Sequence, residues 1–312
     1  MRFGAAFWIQ MTDWPALRDA CHAAEASGFD ALWIDDHLVS DEGDWRTGKL
    51  EGWSVLAALA SVTTSPTLGL LVGANTFRNP GLTAKLATTL DHLSNGRAIL
   101  GIGGGWFERE HDAFGLDFGQ TVGERLDRLD EAVGLIRRLL DGERVTHAGR
   151  FYEMTDAVCE PRPIQARLPI LIGGTGPTRT LRTAARYADL WNGYGLPDRI
   201  AEVSAVLRER CVEEGRDPED IDRTVVLDVV VRDSASEARS AYAEIASLHR
   251  LEGRIGSDGR HRDLSAGGSP GEVASLISEY QAIGIREVIW IFRSPFDLQT
   301  MQRLPEVRAA LG

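Results

Sequence analysis

Lysine is almost missing from this chain of 312 residues: of its 34 basic residues only Lys49 and Lys85 are lysines, and the rest are arginines. Chemistry that runs through a lysine Schiff base therefore has almost no candidate. Cysteine is as scarce. Cys21, Cys159 and Cys211 are odd in number, far apart and never in a CxxC pair, so neither a disulfide framework nor a zinc site is expected, and three reduced structural thiols are. No apolar run approaches the roughly 20 residues of a membrane span. The stretch from Arg2 to Ile9 also lacks the basic start and cleavage site of a secretory signal, so a cytoplasmic location is expected. Basic clusters are missing too. Against 46 acidic residues the balance is −12, and no run of Lys and Arg stands out, which argues against nucleic acid or an anionic membrane as partner and for a small molecule.

What is present is the composition of a globular protein, 43% hydrophobic and 26% charged, arranged as an alternation of short β-prone runs and amphipathic helical patterns. Strands are expected at Arg2 to Trp8, Ala31 to Ile34, Thr67 to Val72, Ala98 to Ile102, Pro169 to Ile172, Asp189 to Asn192, Thr224 to Val231 and Glu287 to Phe292. A helix follows each. Thr12-Asp13-Trp14-Pro15 and Ser269-Pro270 are helix starts, and Gly28 and Asn95-Gly96 are stops. The remaining helices are expected over 53–62, 80–93, 123–140, 179–187, 199–214, 236–248 and 298–311. Eight strand–helix units predict a closed TIM-type (β/α)8 barrel, with a doubly wound sheet as the other arrangement the count allows. The whole chain is read as one decorated barrel with insertions at about 38–51, 142–168 and 252–268, the last expected to be a mobile loop.

In such a barrel the residues just after each strand share one rim, where active sites form. Five of those junctions are unusual: Asp35-Asp36-His37, Val72 to Arg78, Gly101 to Trp106, Gly173 to Pro177 and Trp191 to Gly195. Gly173-Gly174-Thr175-Gly176 ahead of a helix offers backbone amides to a phosphate, with Arg179 able to add charge; a tight turn is the plainer reading. The Gly101 to Gly105 run, with Gly103 and Gly104, removes side chains where a flat ligand approaches, and Trp106 supplies an apolar wall. Asp36-His37 at a strand end pairs an acceptor or general base with a candidate proton donor or acceptor, and Asp35 reads as a turn or orienting residue. No metal is expected, because no other rim position offers a His or a clear carboxylate partner; Glu108, Glu110 and His111 read as solvated or helix-capping.

These elements, in this order, resemble the bacterial luciferase-like family, and within it the branch of oxidoreductases that use coenzyme F420, a 5-deazaflavin. The match is carried by Ala31-Leu32-Trp33-Ile34-Asp35-Asp36-His37, by Val72 through Pro80, by Thr89 through Arg97, by Leu100 through Trp106 and by Pro169 through Gly174, and it runs over essentially the whole chain. The resemblance implies a cofactor lying across the rim with its phosphate on Gly173 to Gly176, and a non-prolyl cis peptide at Leu71-Val72 bulging behind the ring. It also implies that Asp36 bonds the ring system, that Asn75 and Thr76 line it, and that His37 faces substrate. Because family members often dimerise, the resemblance also implies a homodimer. Where the sugar-phosphate dehydrogenases of this branch have a carboxylate after the glycine run, this chain has Trp106, so an apolar or aromatic substrate is expected. The alternatives are an FMN-dependent monooxygenase of the same family, a phosphate-handling lyase or aldolase, which would need a lysine or a metal, and a flavin-binding protein without turnover.

Overall fold

The computed structural model describes residues 1–251 and 265–312. Eight strands form a closed ring: β1 (Arg2–Trp8), β2 (Ala31–Ile34), β3 (Thr67–Leu70), β4 (Ala98–Gly103), β5 (Ile170–Gly173), β6 (Leu190–Tyr194), β7 (Asp222–Val231) and β8 (Glu287–Arg293). Each pairs in parallel with the next, and β8 returns to β1 with Arg2 opposite Glu287 and Trp8 opposite Arg293. The strands read as continuous apolar runs because both faces are covered, one by the barrel interior and one by helices. The doubly wound alternative is excluded by this closure.

The interior is filled by Ala6, Trp8, Ala31, Trp33, Leu71, Ile99, Leu171, Leu190, Ile289 and Ile291. Small residues make room for the large one: a methyl group added at Gly4 or Gly69 would come within 2.8 or 2.7 Å of the Trp33 ring. Trp33 is fully buried and gives its indole N–H to Glu287 at 3.0 Å, which satisfies the one polar atom that burial would otherwise strand. Outside the ring lie α1 (Trp14–Ala26), α2 (Gly52–Val62), α3 (Pro80–Leu93), α4 (Glu108–Phe114), α5 (Val122–Leu140), α6 (Thr180–Tyr187), α7 (Pro197–Glu213), α8 (Ala235–Leu248) and α9 (Pro270–Ala282). Asp13 caps α1 through Ala16 N, and Ser269 with Glu272 forms a full capping box on α9.

Five expectations change. β3 ends at Leu70; the Leu71–Val72 peptide is cis, and pairing resumes at Gly73–Ala74 against β4. The short helix α4 was not anticipated, since its sequence is nearly all polar and shows no periodic apolar face. Segment 142–168, expected to be turns, contains a hairpin of Val145–Ala148 with Glu153–Ala157, strands too short to show a period. The final helix is two, α10 (Leu298–Gln302) and α11 (Leu304–Leu311), with Pro305 at the start of the second. Of the loop expected over 252–268, residues 252–264 lie outside the described residues, and Ala266–Gly268 is a strand paired with β7.

Candidate active site

Glycine sets the shape of the rim between β3, β4 and β5. A methyl at Gly103 would meet Val72 Cγ2 at 2.8 Å and one at Gly173 would meet Cγ1 at 2.9 Å. At Gly104 the obstacle would be Leu126 Cδ2 at 2.8 Å, and at Gly101 the Leu70 carbonyl oxygen. Leu70 and Val72 thus pack directly against backbone without side chains, a low, side-chain-poor shelf between β3, β4 and β5. Past it, Gly73–Ala74 leads into a 3-10 turn, Asn75–Phe77, which the sequence had not marked.

Asp36, at the end of β2, is buried and heavily engaged. Arg78 donates to both of its oxygens, at 2.6 and 2.9 Å, and Ala74 N donates at 3.1 Å. Arg78 reaches on to Glu51 at 2.9 Å, and burial, which alone would lower its pKa, is outweighed by Asp36 and Glu51. Asn75 donates to the Tyr152 hydroxyl at 3.1 Å. Thr76 Oγ1 lies 2.7 Å from His111 Nε2, and His111 packs between Phe77 and Phe118. His111 is therefore a buried wedge under the 75–77 turn rather than a solvated residue.

His37 has a partner that sequence reasoning missed. Its Nδ1 lies 3.0 and 3.2 Å from the two oxygens of Glu110, a carboxylate only 1% exposed, whose second oxygen also accepts from Leu38 N at 2.9 Å. Nε2 is 3.8 Å from Asp41, outside hydrogen-bond range. Burial opposes protonation of the imidazole, but the charge of Asp41 and the hydrogen bond and charge of Glu110 outweigh it, and the pKa is pushed up to about 9. His37 is thus an imidazolium at neutral pH. The expectation that no carboxylate partner exists at the rim is corrected by Glu110 and Asp41. Nothing local marks Glu110: it sits in a charged heptapeptide, and only the docking of α4 against the end of β2 selects it.

Lys49, one of the two lysines, is buried beside this group. It bonds Asp35, Asp41 at 3.2 Å and the Gln10 side chain at 2.8 Å, while Asp35 also accepts from Ile9 N at 3.0 Å. Burial alone would discharge Lys49; Asp35 and Asp41 keep it charged and raise its pKa. Asp35, expected to be a turn or orienting residue, thus bridges Lys49 and the end of β1. Farther round the mouth Arg293 is held by Glu42, at 2.8 and 3.0 Å, and by Asp228.

An aromatic wall completes the mouth. Trp106 meets His37 edge-on at 5.4 Å and stacks on Phe107 at 5.2 Å, and Phe107 meets His37 at 5.9 Å. Trp106 is 50% exposed, so it is surface presented to the mouth rather than core packing. Across the fifth junction, Gly174 adopts φ +122°, its N–H bonds Asn192 O at 3.0 Å, and its carbonyl accepts from the Trp191 indole at 2.8 Å. α6 follows with no side-chain cap on its N-terminus; its Leu181 N donates to Gly176 O at 3.1 Å, and the positive end of its dipole lies toward the turn Gly173-Gly174-Thr175-Gly176. Arg179, expected to add charge there, gives its Nε to Asp127 at 2.8 Å. Among the described residues no group of three or more His, Cys, Asp or Glu gathers as a metal site.

A family model, that of the luciferase-like monooxygenases, matches residues 4–287. An F420-dependent glucose-6-phosphate dehydrogenase of Kineococcus radiotolerans is 31% identical over 297 residues, 88% of this chain and 86% of that protein. A phthiodiolone/phenolphthiodiolone dimycocerosates ketoreductase of Mycobacterium sp. (strain JLS) is 34% identical over 241 residues, 69% of this chain and 62% of that protein. Among solved structures, an F420-dependent secondary alcohol dehydrogenase superposes with a TM-score of 0.85 at 20% identity, covering 100% of this chain and 99% of that one. At that identity the likeness speaks for the fold.

Proposed function

The chain belongs to the luciferase-like monooxygenase family, and from that premise we propose that it is an oxidoreductase that uses coenzyme F420 to transfer a hydride to a small apolar or aromatic substrate, with His37 moving the proton. The observation that carries this reading is the His37–Glu110 pair set beside the glycine shelf. One imidazole nitrogen, Nδ1, is fixed by a buried carboxylate, Nε2 lies 3.8 Å from Asp41, and the ring meets Trp106 edge-on.

The rim fits a flat anionic cofactor. Side chains are absent where a ring approaches, at Gly103 and Gly173, and an uncapped helix start follows Gly176. Asp36, Asn75 and Thr76 would hold the ring, Leu71, Val72, Gly103 and Gly104 would back it, and Gly173, Gly174, Thr175 and Gly176 would take the phosphate. When bound, F420 supplies or accepts the hydride at C5.

His37, protonated at neutral pH, is ready to give its Nε2 proton to a carbonyl or imine as that group is reduced, which favours the reductive direction. Glu110 stabilises the imidazolium before transfer and fixes the ring plane during it. Trp106 and Phe107 keep water from that side. Lys49 and Arg293 are committed to carboxylates, which favours an apolar substrate over the sugar phosphate of the Kineococcus relative. Three buried free thiols suit a reducing cytoplasm, and the family resemblance supports a homodimer.

Fluorescence titration of the purified protein with F420, FMN and NADPH, followed by optical assay of reduced F420 against ketones, imines and enones, tests the proposal. Preferential F420 binding and substrate-dependent reoxidation are expected. Preference for FMN would overturn it in favour of a flavin monooxygenase.

A further inference from the structure

Just outside the Gly173 to Gly176 turn, between α5 and α6, lies a cleft of about 390 Å³ into which four arginines converge: Arg150 from the hairpin turn, and Arg179, Arg182 and Arg186 from the start and exposed face of α6. In a chain of net charge −12 this concentration is unusual. Residues 170–188 contain these three arginines and no Asp or Glu, and their spacing of three and four places them on one helix face. The cleft joins the rim at two points. Leu126, in its wall, packs under Gly104, and Gly123 lies against the Arg179 guanidinium, where a methyl would meet it at 3.4 Å.

The arginines are held in place by carboxylates. Asp127 accepts from Arg179 at 2.8 Å and lies 3.5 Å from Arg150; Asp130 accepts from Arg186 at 3.1 Å, and Glu214 accepts from Arg182 at 2.8 Å and lies 2.9 Å from Arg186; Glu131 is a third carboxylate in the lining, against four arginines. These contacts engage a minority of the five N–H donors each guanidinium carries. The groups are thus pre-positioned, with donor capacity remaining for further carboxylates, which match the planar guanidinium fork.

We propose that this cleft is a subsite for an oligocarboxylate chain leading away from the phosphate turn, namely the γ-linked glutamate tail that F420 carries beyond its phosphate. The assignment rests on the F420 reading above. It gives the acidic protein a local means of receiving a polyanion, and it makes tail length a determinant of affinity.

The test is equilibrium binding, read by protein fluorescence, of F420 carrying no glutamate and of F420 carrying several, to the native protein and to the variants R150S/R182S and R182E. For the native protein the long-tailed form should bind about tenfold more tightly, the equivalent of one or two charge-assisted contacts. That gap should narrow as NaCl rises from about 0.05 to about 0.5 M. In both variants it should shrink to about twofold or less while the tail-less form binds as before. Equal affinity of the two forms for the native protein, or a gap that survives in the variants, overturns the subsite while leaving the cofactor assignment standing. Failure of both forms to bind overturns the cofactor assignment and the subsite with it.

Discussion

Replacing Glu110 with Gln separates the charge of the His37 site from its shape. Glutamine is nearly isosteric, and its carbonyl oxygen can still accept from Leu38 N, as Glu110 does at 2.9 Å. Its NH2 group then faces Nδ1 of the neutral ring, which keeps its place and its Nε2 proton, while the charged ring loses its anionic partner. In the native protein the imidazole titrates near 9 instead of 6.5, a difference worth roughly 3 kcal/mol. Burial works against this elevation, and Asp41 and Glu110 share in producing it. Removing the Glu110 share should lower the His37 pKa by about one to two units, consistent with roughly 1.5–3 kcal/mol for a hydrogen bond to a charged group. The shift is measurable without substrate, by titrating the imidazole nitrogens by NMR with the H37A spectrum identifying the resonance. The alkaline limb of substrate reduction should move down by the same amount. Because the native pKa is raised, the stabilisation is fully present below about pH 6.5 and is lost as pH rises through about 9. The stability deficit of E110Q should therefore be largest in acid and close in alkali. A His37 titration in E110Q that stays near 9 would refute this account of the pair.

Three further perturbations test the rest of the site. His37→Ala should leave F420 affinity nearly intact in a binding titration and lower turnover by about two to four orders of magnitude, the span of general acid–base loss; an unchanged rate removes His37 from the mechanism. Gly103→Val places a branched side chain where even a methyl would come within 2.8 Å of Val72. F420 affinity should fall tenfold or more, about 1.4 kcal/mol, with helical circular dichroism retained, and native affinity in this variant would mean that the shelf is not the ring seat. Arg293→Met strands two buried carboxylates, Glu42 and Asp228, and urea denaturation should show a loss of about 3–5 kcal/mol. A loss below about 1 kcal/mol would mean that these carboxylates do not depend on Arg293.

The buried charges around the mouth explain why lysine scarcity was informative but incomplete. Counting lysines correctly argues against Schiff-base chemistry, since Lys49 is an ammonium locked between Asp35 and Asp41. The count could not reveal that this lysine holds the 38–51 segment against the end of β2, next to His37. Such a pair is worth little as net stability, because desolvation offsets attraction, yet it is costly to break and so holds the geometry.

Sequence alone narrowed the fold to a closed barrel, with a doubly wound sheet as the runner-up that the pairing of β8 with β1 removes. Eight β-prone runs with helices between them allow few arrangements, because each strand must bury both faces and each helix one. The caps at Asp13 and Ser269 and the stops at Gly28 and Gly96 are local chemistry and were legible residue by residue. So were the glycine junctions, His37 at the end of β2 and the exposed Trp106, since strand ends in such a barrel must converge on one rim. Tertiary structure alone decided which charges meet. Glu110 is 73 residues from His37, Arg78 is 42 from Asp36, and Arg293 is 251 from Glu42. Each pair joins side chains from different elements, and nothing in their local spacing predicts it. An ionic contact has no period in the chain; it exists only once the barrel brings two strand ends within a few ångströms and removes the water between them.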